Sequence, residues 1–382
     1  MKKSIIYILF TLTLVVSCNK TKENKIIGAW IATPKHNPFL NSKNEIKKTI
    51  DILFKKGINT LYLCVWEEQK TAFKSNVLLE NSSYKNIEET SFLNNEYLSE
   101  TNDPIKDLIH HAHAKDIKVL FWFEYGFMSK IKTIPTVNND VILKKNPHWI
   151  GIGNDKMPSN YNGTDYYYNS FHPEVQNFFL NLVEESMNLY PEIDGIQFDD
   201  RMPAAPANSG YDSWTLNQYK NENSGELPPS NFLNNKWFSW RINKLNSFAK
   251  SLTKKIKSKG DYLVSFSPNI YPWSYENLMQ DWPTWIEENK VDILNVQCYR
   301  TNFKDYKKVI DQVIEFTQST LPKTKISPGI ILGVSDKRIM KLKTLDSILA
   351  YNEKKYLNNH SFFYVKWILE DEYFDYQFSK YN

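Results

Sequence analysis

Asp194-Gly195-Ile196-Gln197-Phe198-Asp199-Asp200-Arg201 decides how the rest of the 382-residue chain is read. Strand alternation ends here in two adjacent acids and an arginine, with no turn residues to explain the charge. A buried parallel strand is apolar on the face that meets its helices. Ile196 and Phe198 supply that face, which leaves Gln197 and Asp199 on the other. A carboxylate at the carboxyl end of such a strand stands where barrel enzymes carry their reacting groups. The plainer alternative is a strand that runs into a solvated acidic loop.

Outward from this stretch, strand-like and helix-like segments alternate. Strand patterns fall at 27–33, 59–66, 118–124, 194–199, 262–268, 293–300, 326–332 and 362–368. Helical patterns lie between them at 44–56, 103–115, 173–189, 238–257, 275–289, 303–320 and 336–356. Eight strands with seven intervening helices predict a closed α/β structure, a single (β/α)8 TIM barrel over residues 26–382. The connections after the second, third and fourth strands are long, at 67–102, 125–172 and 201–237. The last holds Pro203-Ala204-Ala205-Pro206 and Pro228-Pro229. Long structured loops on one rim are usually functional, and these would wall a cleft at the carboxyl face.

Composition narrows the function. An apolar share of 41% is enough for a large core, and the net charge of +4 is spread without a basic block. Nucleic acid is therefore not expected as a partner. The 11 Trp and 23 Tyr supply flat rings with polar edges, which suit both core packing and sugar faces. Lys2 and Lys3 precede an apolar run from Ile5 to Val16, too short to span a bilayer. It ends Val15-Val16-Ser17-Cys18, the pattern of a bacterial lipoprotein signal: signal peptide 1–17, lipidation at Cys18, tether 18–25. Two or more acyl chains anchor stably, at about 0.8 kcal/mol per buried methylene. That predicts a cell-envelope lipoprotein, with the Lys-rich tether favouring an outer membrane and a periplasmic face over the exterior. An ordinary secretory peptide that contains a cysteine is the alternative. Cys64 and Cys298 sit in apolar strand patterns and read as small core residues.

Alternation assigns the side chains of the mouth. Tyr62, Cys64 and Trp66 point inward from the second strand, and Leu120, Trp122 and Glu124 from the third. Gln197 and Asp199 do so from the fourth, Ser265, Ser267 and Asn269 from the fifth, and Asn295, Gln297 and Tyr299 from the sixth. Trp367 closes the inward face of the eighth. Neighbouring strands lie about 4.8 Å apart, so Glu124 and Asp199 would hold carboxyls roughly 5–7 Å apart. Close acids push one pKa upward and so supply a proton donor at neutral pH. Asp200 faces the opposite way and would pair with Arg201; a bulge at the strand end would exchange Asp199 and Asp200.

Other positions carry weaker signals. Glu67 and Glu68 follow Trp66 and could reach the cleft. His110-His111-Ala112-His113 resembles metal bait, but consecutive helical positions do not share a face. Asp281-Trp282-Pro283-Thr284-Trp285 reads as a sugar shelf or as a packed helix start. Tyr166-Tyr167-Tyr168-Asn169 precedes a helix and could lend one ring to the cleft. Strand ends offer no inward histidines, so neither a metal nor a cofactor is expected.

The chain resembles the glycosyl-hydrolase-like barrel family 10 from about Gly28 to Trp367. The likeness rests on Gly28-Ala29-Trp30-Ile31-Ala32-Thr33, Trp122-Phe123-Glu124-Tyr125-Gly126, Asn146-Pro147-His148-Trp149, His172-Pro173-Glu174-Val175, the 194–201 stretch and Gln297-Cys298-Tyr299-Arg300. It implies a TIM-barrel glycosidase, with relatives that cut bacterial cell-wall glycan, notably strands stripped of peptide. Retaining glycosidases hold their two carboxyls about 5–5.5 Å apart and inverting ones about 6.5–9.5 Å, a choice the spacing leaves open. In family 18 barrels the fourth strand reads Asp-Gly-x-Asp-x-Asp-x-Glu. Laid on this chain, its Glu falls on Arg201 and its middle Asp on Gln197, so a copy of that mechanism is not expected.

The expectation is thus a lipid-anchored glycosidase acting on an oligo- or polysaccharide. One of Glu124 and Asp199 would be general acid and the other nucleophile or base, with Asp200 and Arg201 tuning them. Trp66, Trp122, Tyr125, Tyr299 and Trp367 would bind sugar, and Asn269 and Gln297 its hydroxyls or acetamides. The rival is a non-catalytic glycan-binding lipoprotein on the same scaffold.

Overall fold

The computed structural model describes residues 25–93, 103–288, 291–318, 324–335, 338–373 and 375–380. The expected signal peptide, Cys18 and the tether as far as residue 24 lie outside them. Eight barrel strands run β1 Ile27–Ile31, β2 Thr60–Glu67, β3 Lys118–Phe123, β4 Gly195–Phe198, β5 Leu263–Phe266, β6 Ile293–Leu294, β7 and β8 His360–Phe363. Strand β7 comes in two pieces, Lys325–Ile326 and Gly329–Ile331. Each strand pairs in parallel with the next, and β8 pairs with β1. The first piece of β7 joins β6 and the second joins β8, which closes the ring. Pro328, which has no N–H for a ladder, lies at the break.

Helices follow the strands in the order expected of the fold: α1 Lys43–Lys55, α2 Pro104–His113, α3 Pro173–Leu189, α4 Asn235–Lys257, α5 Trp282–Glu288, α6 Phe303–Thr317, α7 Leu342–Lys354 and the short α8 Val365–Ile368. The outward strand residues Leu61, Leu63, Val119, Phe121, Ile196, Phe198, Val264 and Phe266 form one continuous core with Phe178, Phe179, Leu182 and Leu252 of the helices. Gly195 is required where β4 meets β5, because a Cβ there would lie 2.2 Å from the Leu263 carbonyl oxygen.

The barrel interior is largely polar. Gln197 donates to Ser265 Oγ and to Asn295 Oδ1, both at 2.9 Å, and accepts from the Trp30 indole at 2.6 Å. Asn295 Nδ2 donates to Tyr62 OH at 3.1 Å and to Ser361 Oγ at 2.8 Å, and Ser361 meets Ser327 at 2.9 Å. Every one of these side chains is buried.

Three segments depart from the expected boundaries. In β2 the register steps from Cys64↔Trp122 to Trp66↔Phe123, a bulge at Val65 that shifts alternation by one. The eighth strand stops at Phe363, and the apolar run beyond it coils into α8 instead of extending. The expected helix at 275–289 is two pieces, Trp273–Leu278 and α5, broken at Met279 with φ 52°. Trp282 and Trp285 are wholly buried, so that segment is a packed helix start and not a sugar shelf. Cys64 and Cys298 are free and buried, as expected.

Two of the long connections carry structure of their own. The β3–α3 loop holds an antiparallel sheet of Met128–Ile131, Asn160–Tyr161 and Asp165–Tyr167. It is tied to α3 by Glu174 Oε2, which accepts from Trp149 Nε1 at 2.8 Å and meets His148 Nε2 at 2.7 Å. The β4–α4 loop holds helix Ser213–Glu222 and is clamped from α4 by the fully buried Arg241. That guanidinium donates to the carbonyls of Ala207 (2.6 Å), Ser209 (2.7 Å) and Phe232, and lies over the Trp237 ring at 4.6 Å. Replacing Arg241 with Met would remove the donor shared by three carbonyls, one of them buried, and should lower unfolding stability by about 2–5 kcal/mol. Chemical denaturation measures the loss, and limited proteolysis should show early cleavage within 201–234.

Candidate active site

The carboxyl ends of β2, β3 and β4 bring four acids toward one opening. Glu124 follows the last residue of β3 and is partly exposed at the mouth. Its Oε2 accepts from the Cys64 thiol at 3.5 Å. Burial, then the charges of Glu67 and Asp199, push its pKa well above the carboxylate range, against the pull of Arg201. Glu67 reaches this neighbourhood through the bulge. Its own pKa is raised by burial, with a hydrogen bond from Thr33 opposing. Sequence alternation ranked Glu67 low, because nothing in the residues of β2 announces an inserted residue. The one signal was its place immediately after a strand end.

Asp199 and Asp200 divide into two environments. Asp199 is 1% exposed. Its Oδ1 accepts the Arg201 backbone N–H at 2.8 Å, and its Oδ2 accepts the Tyr125 N–H at 3.1 Å and Arg201 Nη1 at 2.9 Å. Burial and the neighbouring Asp200 charge push Asp199 upward, while Arg201 pulls it down. Asp200 turns toward β5 and β6: Oδ2 accepts from Asn269 Nδ2 at 2.7 Å, and Oδ1 from Arg201 Nη1 at 2.7 Å and Gln297 Nε2 at 3.2 Å. Both acids thus reach the same end of the barrel, Asp199 against Tyr125 and Asp200 against β5 and β6, with no bulge in β4. Asn269 and Gln297, expected to face substrate hydroxyls, hold Asp200.

Tyr125 and Gly126 make the turn that carries this geometry. Both have left-handed backbones, with φ 59° and 39°. A Cβ on Gly126 would lie 2.7 Å from the Arg201 carbonyl oxygen. The Tyr125 ring backs the Arg201 guanidinium at 5.1 Å, within cation–π range. The structure accordingly gathers Glu124, Asp199, Asp200, Tyr125, Arg201, Asn269 and Gln297. Tyr299 joins them: its phenol is shifted strongly upward by burial and by the charges of Asp200, Glu124 and Asp199. Its ring packs on Phe363 at 5.2 Å.

Two of the expected aromatic platforms stand elsewhere. Trp66 faces outward, because the bulge turns it from the mouth; it packs edge-on against Phe178 and Phe179 and donates to the Gly126 carbonyl at 3.2 Å. Trp367 belongs to α8, not to a strand, and is buried so close to Gly333 that a Cβ there would lie 2.8 Å from its ring. Trp122 does face inward, in a buried cluster with Trp30, Tyr62 and Cys64 below the acids. Tyr167 and Tyr168 are buried in the β3–α3 loop, where Tyr168 donates to Asp140 at 3.0 Å.

His148, His172 and Glu174 place donor atoms within 4.8 Å of one another. They also fasten the loop to α3: Glu174 Oε2 accepts from Trp149, and His172 Nδ1 caps α3 by accepting the Glu174 N–H at 3.3 Å. This accounts for the Asn146–Trp149 and His172–Val175 motifs as loop fastenings. Beside Asp200 a cavity of about 510 Å³ opens, lined by Asn269, Tyr271, Trp273, Gln297, Tyr299 and Arg300 among others.

Solved structures share this architecture. The PgaB (BpsB) glycoside hydrolase domain from Bordetella bronchiseptica aligns with a TM-score of 0.62 at 13% identity, over 90% of this chain and 94% of that one. The catalytic domain of β-amylase from Paenibacillus polymyxa gives 0.57 at 10% identity, over 91% and 94%. The endo-1,4-β-mannanase from Rhizomucor miehei gives 0.52 at 12% identity, over 88% and 85%. At these identities the likeness establishes the barrel fold and no more. Comparison with curated proteins returns no match. The family model for glycosyl hydrolase-like 10 matches residues 25–349, and the chain therefore belongs to the glycosyl hydrolase-like 10 family.

Proposed function

We propose that the protein is a glycoside hydrolase whose substrate is a bacterial or environmental polysaccharide, with peptidoglycan glycan strands as the preferred candidate. What supports the reading is that one end of the barrel holds both Glu124, partly exposed and held toward its protonated form, and Asp200, fixed by two amides that also line an open cavity. A protonated carboxyl can donate to the leaving glycosidic oxygen. The second carboxylate attacks the anomeric carbon or activates water. Asp199 acts through Arg201 and Tyr125 as a positioning residue, which moves the second role from Asp199 to its neighbour. Membership of the family and the glycosidase barrels among the structural neighbours support a carbohydrate ligand.

A binding-only reading has one observation in its favour. Arg201 neutralises Asp199 and Asp200 together, and such pairing restrains a nucleophile. Product analysis separates the two, since binding without new reducing ends belongs to the second. We also propose that the chain is anchored by lipid at Cys18 in the outer membrane and faces the periplasm, on the strength of the signal-like segment before it. Cys18→Ala should abolish labelling by radioactive palmitate and release the protein from the membrane fraction.

Glu124→Gln and Asp200→Asn should each lower turnover of glycan by about 10²–10⁴-fold, with melting curves close to the parent. Full activity in both variants would refute the assignment. The pH dependence has a defined sign. Glu124 must be protonated to act, so kcat/KM should fall as pH rises through its elevated pKa. Glu67→Gln removes a negative charge that raises it. Ionised Glu124 then becomes easier to form, and the alkaline limb of the profile should move to lower pH. A limb that stays in place, or moves the other way, would exclude Glu124 as the donor.

A further inference from the structure

The cavity beside Asp200 contains a charge that the protein itself does not answer. The charge of Arg201 is met by two carboxylates at 2.9 and 2.7 Å. Arg300 is different. It is half-buried in the cavity wall, and its Nη1 donates to the Tyr299 carbonyl at 2.8 Å. It forms no ion pair among the described residues. A guanidinium partly removed from water, with most of its donors free, has lost hydration without receiving an anion in exchange.

What surrounds it fits a sugar. Gln312 and Gln297 offer amides, and Tyr271 and Trp273 offer rings, with Trp273 37% exposed. Amides suit hydroxyl groups and flat rings suit pyranose faces. Glu276 is the one acid in the cavity lining. The electrostatics of the mouth add a second argument. Asp199 and Asp200 share the single guanidinium of Arg201, which leaves the mouth no positive charge to spare for an anion. An anionic glycan would be repelled there unless its charge were received to one side. Asn269 and Gln297 line the cavity and also hold Asp200, so the subsite at Arg300 adjoins that acid.

We propose that Arg300 is the specificity group of a subsite next to Asp200 that takes a sugar bearing a carboxylate. One planar guanidinium fork matches the two coplanar oxygens of a carboxylate, whereas a doubly charged phosphate would call for further cations. The carboxylate comes either from a uronic acid ring or from an ether-linked acid on an amino sugar. The inference rests on the glycosidase reading for its setting, but binding decides it without turnover.

The test is calorimetric binding of three oligosaccharide sets to the full protein and to Arg300→Gln. The sets are peptide-free N-acetylglucosamine–N-acetylmuramic acid oligomers, oligoglucuronates, and carboxyl-reduced forms of each. The parent should bind one carboxylated set about 10- to 100-fold more tightly than its reduced form, and which set shows the preference identifies the source of the carboxylate. Arg300→Gln should abolish that preference while affinity for the reduced form changes less than about threefold. Arg300→Lys should restore it only in part, because an ammonium lacks the fork. Equal binding of native and reduced glycans by the parent, or a preference that survives Arg300→Gln, would overturn the proposal. The parent comparison stands even if the variant fails to fold. Reducing-end assays on the same samples separate the two readings: preference without cleavage defeats the glycosidase, and cleavage without preference defeats the subsite.

Discussion

The buried amide pair Gln197–Asn295 is the constraint on which the barrel depends. Through Trp30, Tyr62, Ser265, Ser327 and Ser361 it links strands β1, β2 and β4 to β8 across the interior. In a low-dielectric interior each of these bonds is strong, and each group left unpaired would be costly. Register is therefore fixed, since moving any strand by one residue would exchange a polar inward residue for an apolar one. The residue type also matters. A carboxylate at position 197 would place a further charge two residues below Asp199, in a region without a second guanidinium among the described residues. An amide fills the position, donates twice and accepts once, and adds no charge.

Above that layer, charge is concentrated and sorted. Arg201 touches both aspartates with one nitrogen, so its orientation is set by the acids it neutralises and by the Tyr125 ring behind it. Glu124 lies outside that pair and, among the described residues, has only a thiol as its donor. Backbone N–H groups and a guanidinium oppose the upward push of burial on Asp199, while Glu124 meets the same push with a weak thiol donor and other acids beside it. Two kinds of acid thus arise from neighbouring strand ends of similar composition. The contrast is the physical basis for assigning them different roles.

Much of this was legible in the residues. Alternation placed the outward faces of β2 to β5, the interior polar residues, and Glu124 and Asp199 at one end of the barrel. It failed where the backbone departs from regularity. Val65 looks like any strand valine, yet the bulge there sends Trp66 to the helices and Glu67 to the mouth. The run 362–368 is apolar enough to read as strand or as buried helical turn, and periodicity alone cannot arbitrate over so few residues. Trp367 was misplaced for that reason. Asn269 and Gln297 were located correctly by face, but sequence could not show that Asp200 turns back to meet them, because a chain bend after β4 has no compositional mark.

The two ends of the cylinder have different occupants. At the amino ends of the strands, Lys25 offers its carbonyl to Asn59 at 2.7 Å and Ile26 donates to Asn359 at 2.9 Å, so the chain enters at the pole opposite the acids. A leash attached to that pole would hold the acid-lined mouth facing outward from the surface that bears the leash. Polymer suspended at a distance would then be met before polymer lying flat on that surface. The reach of that mouth would be set by the span of the leash together with the height of the barrel.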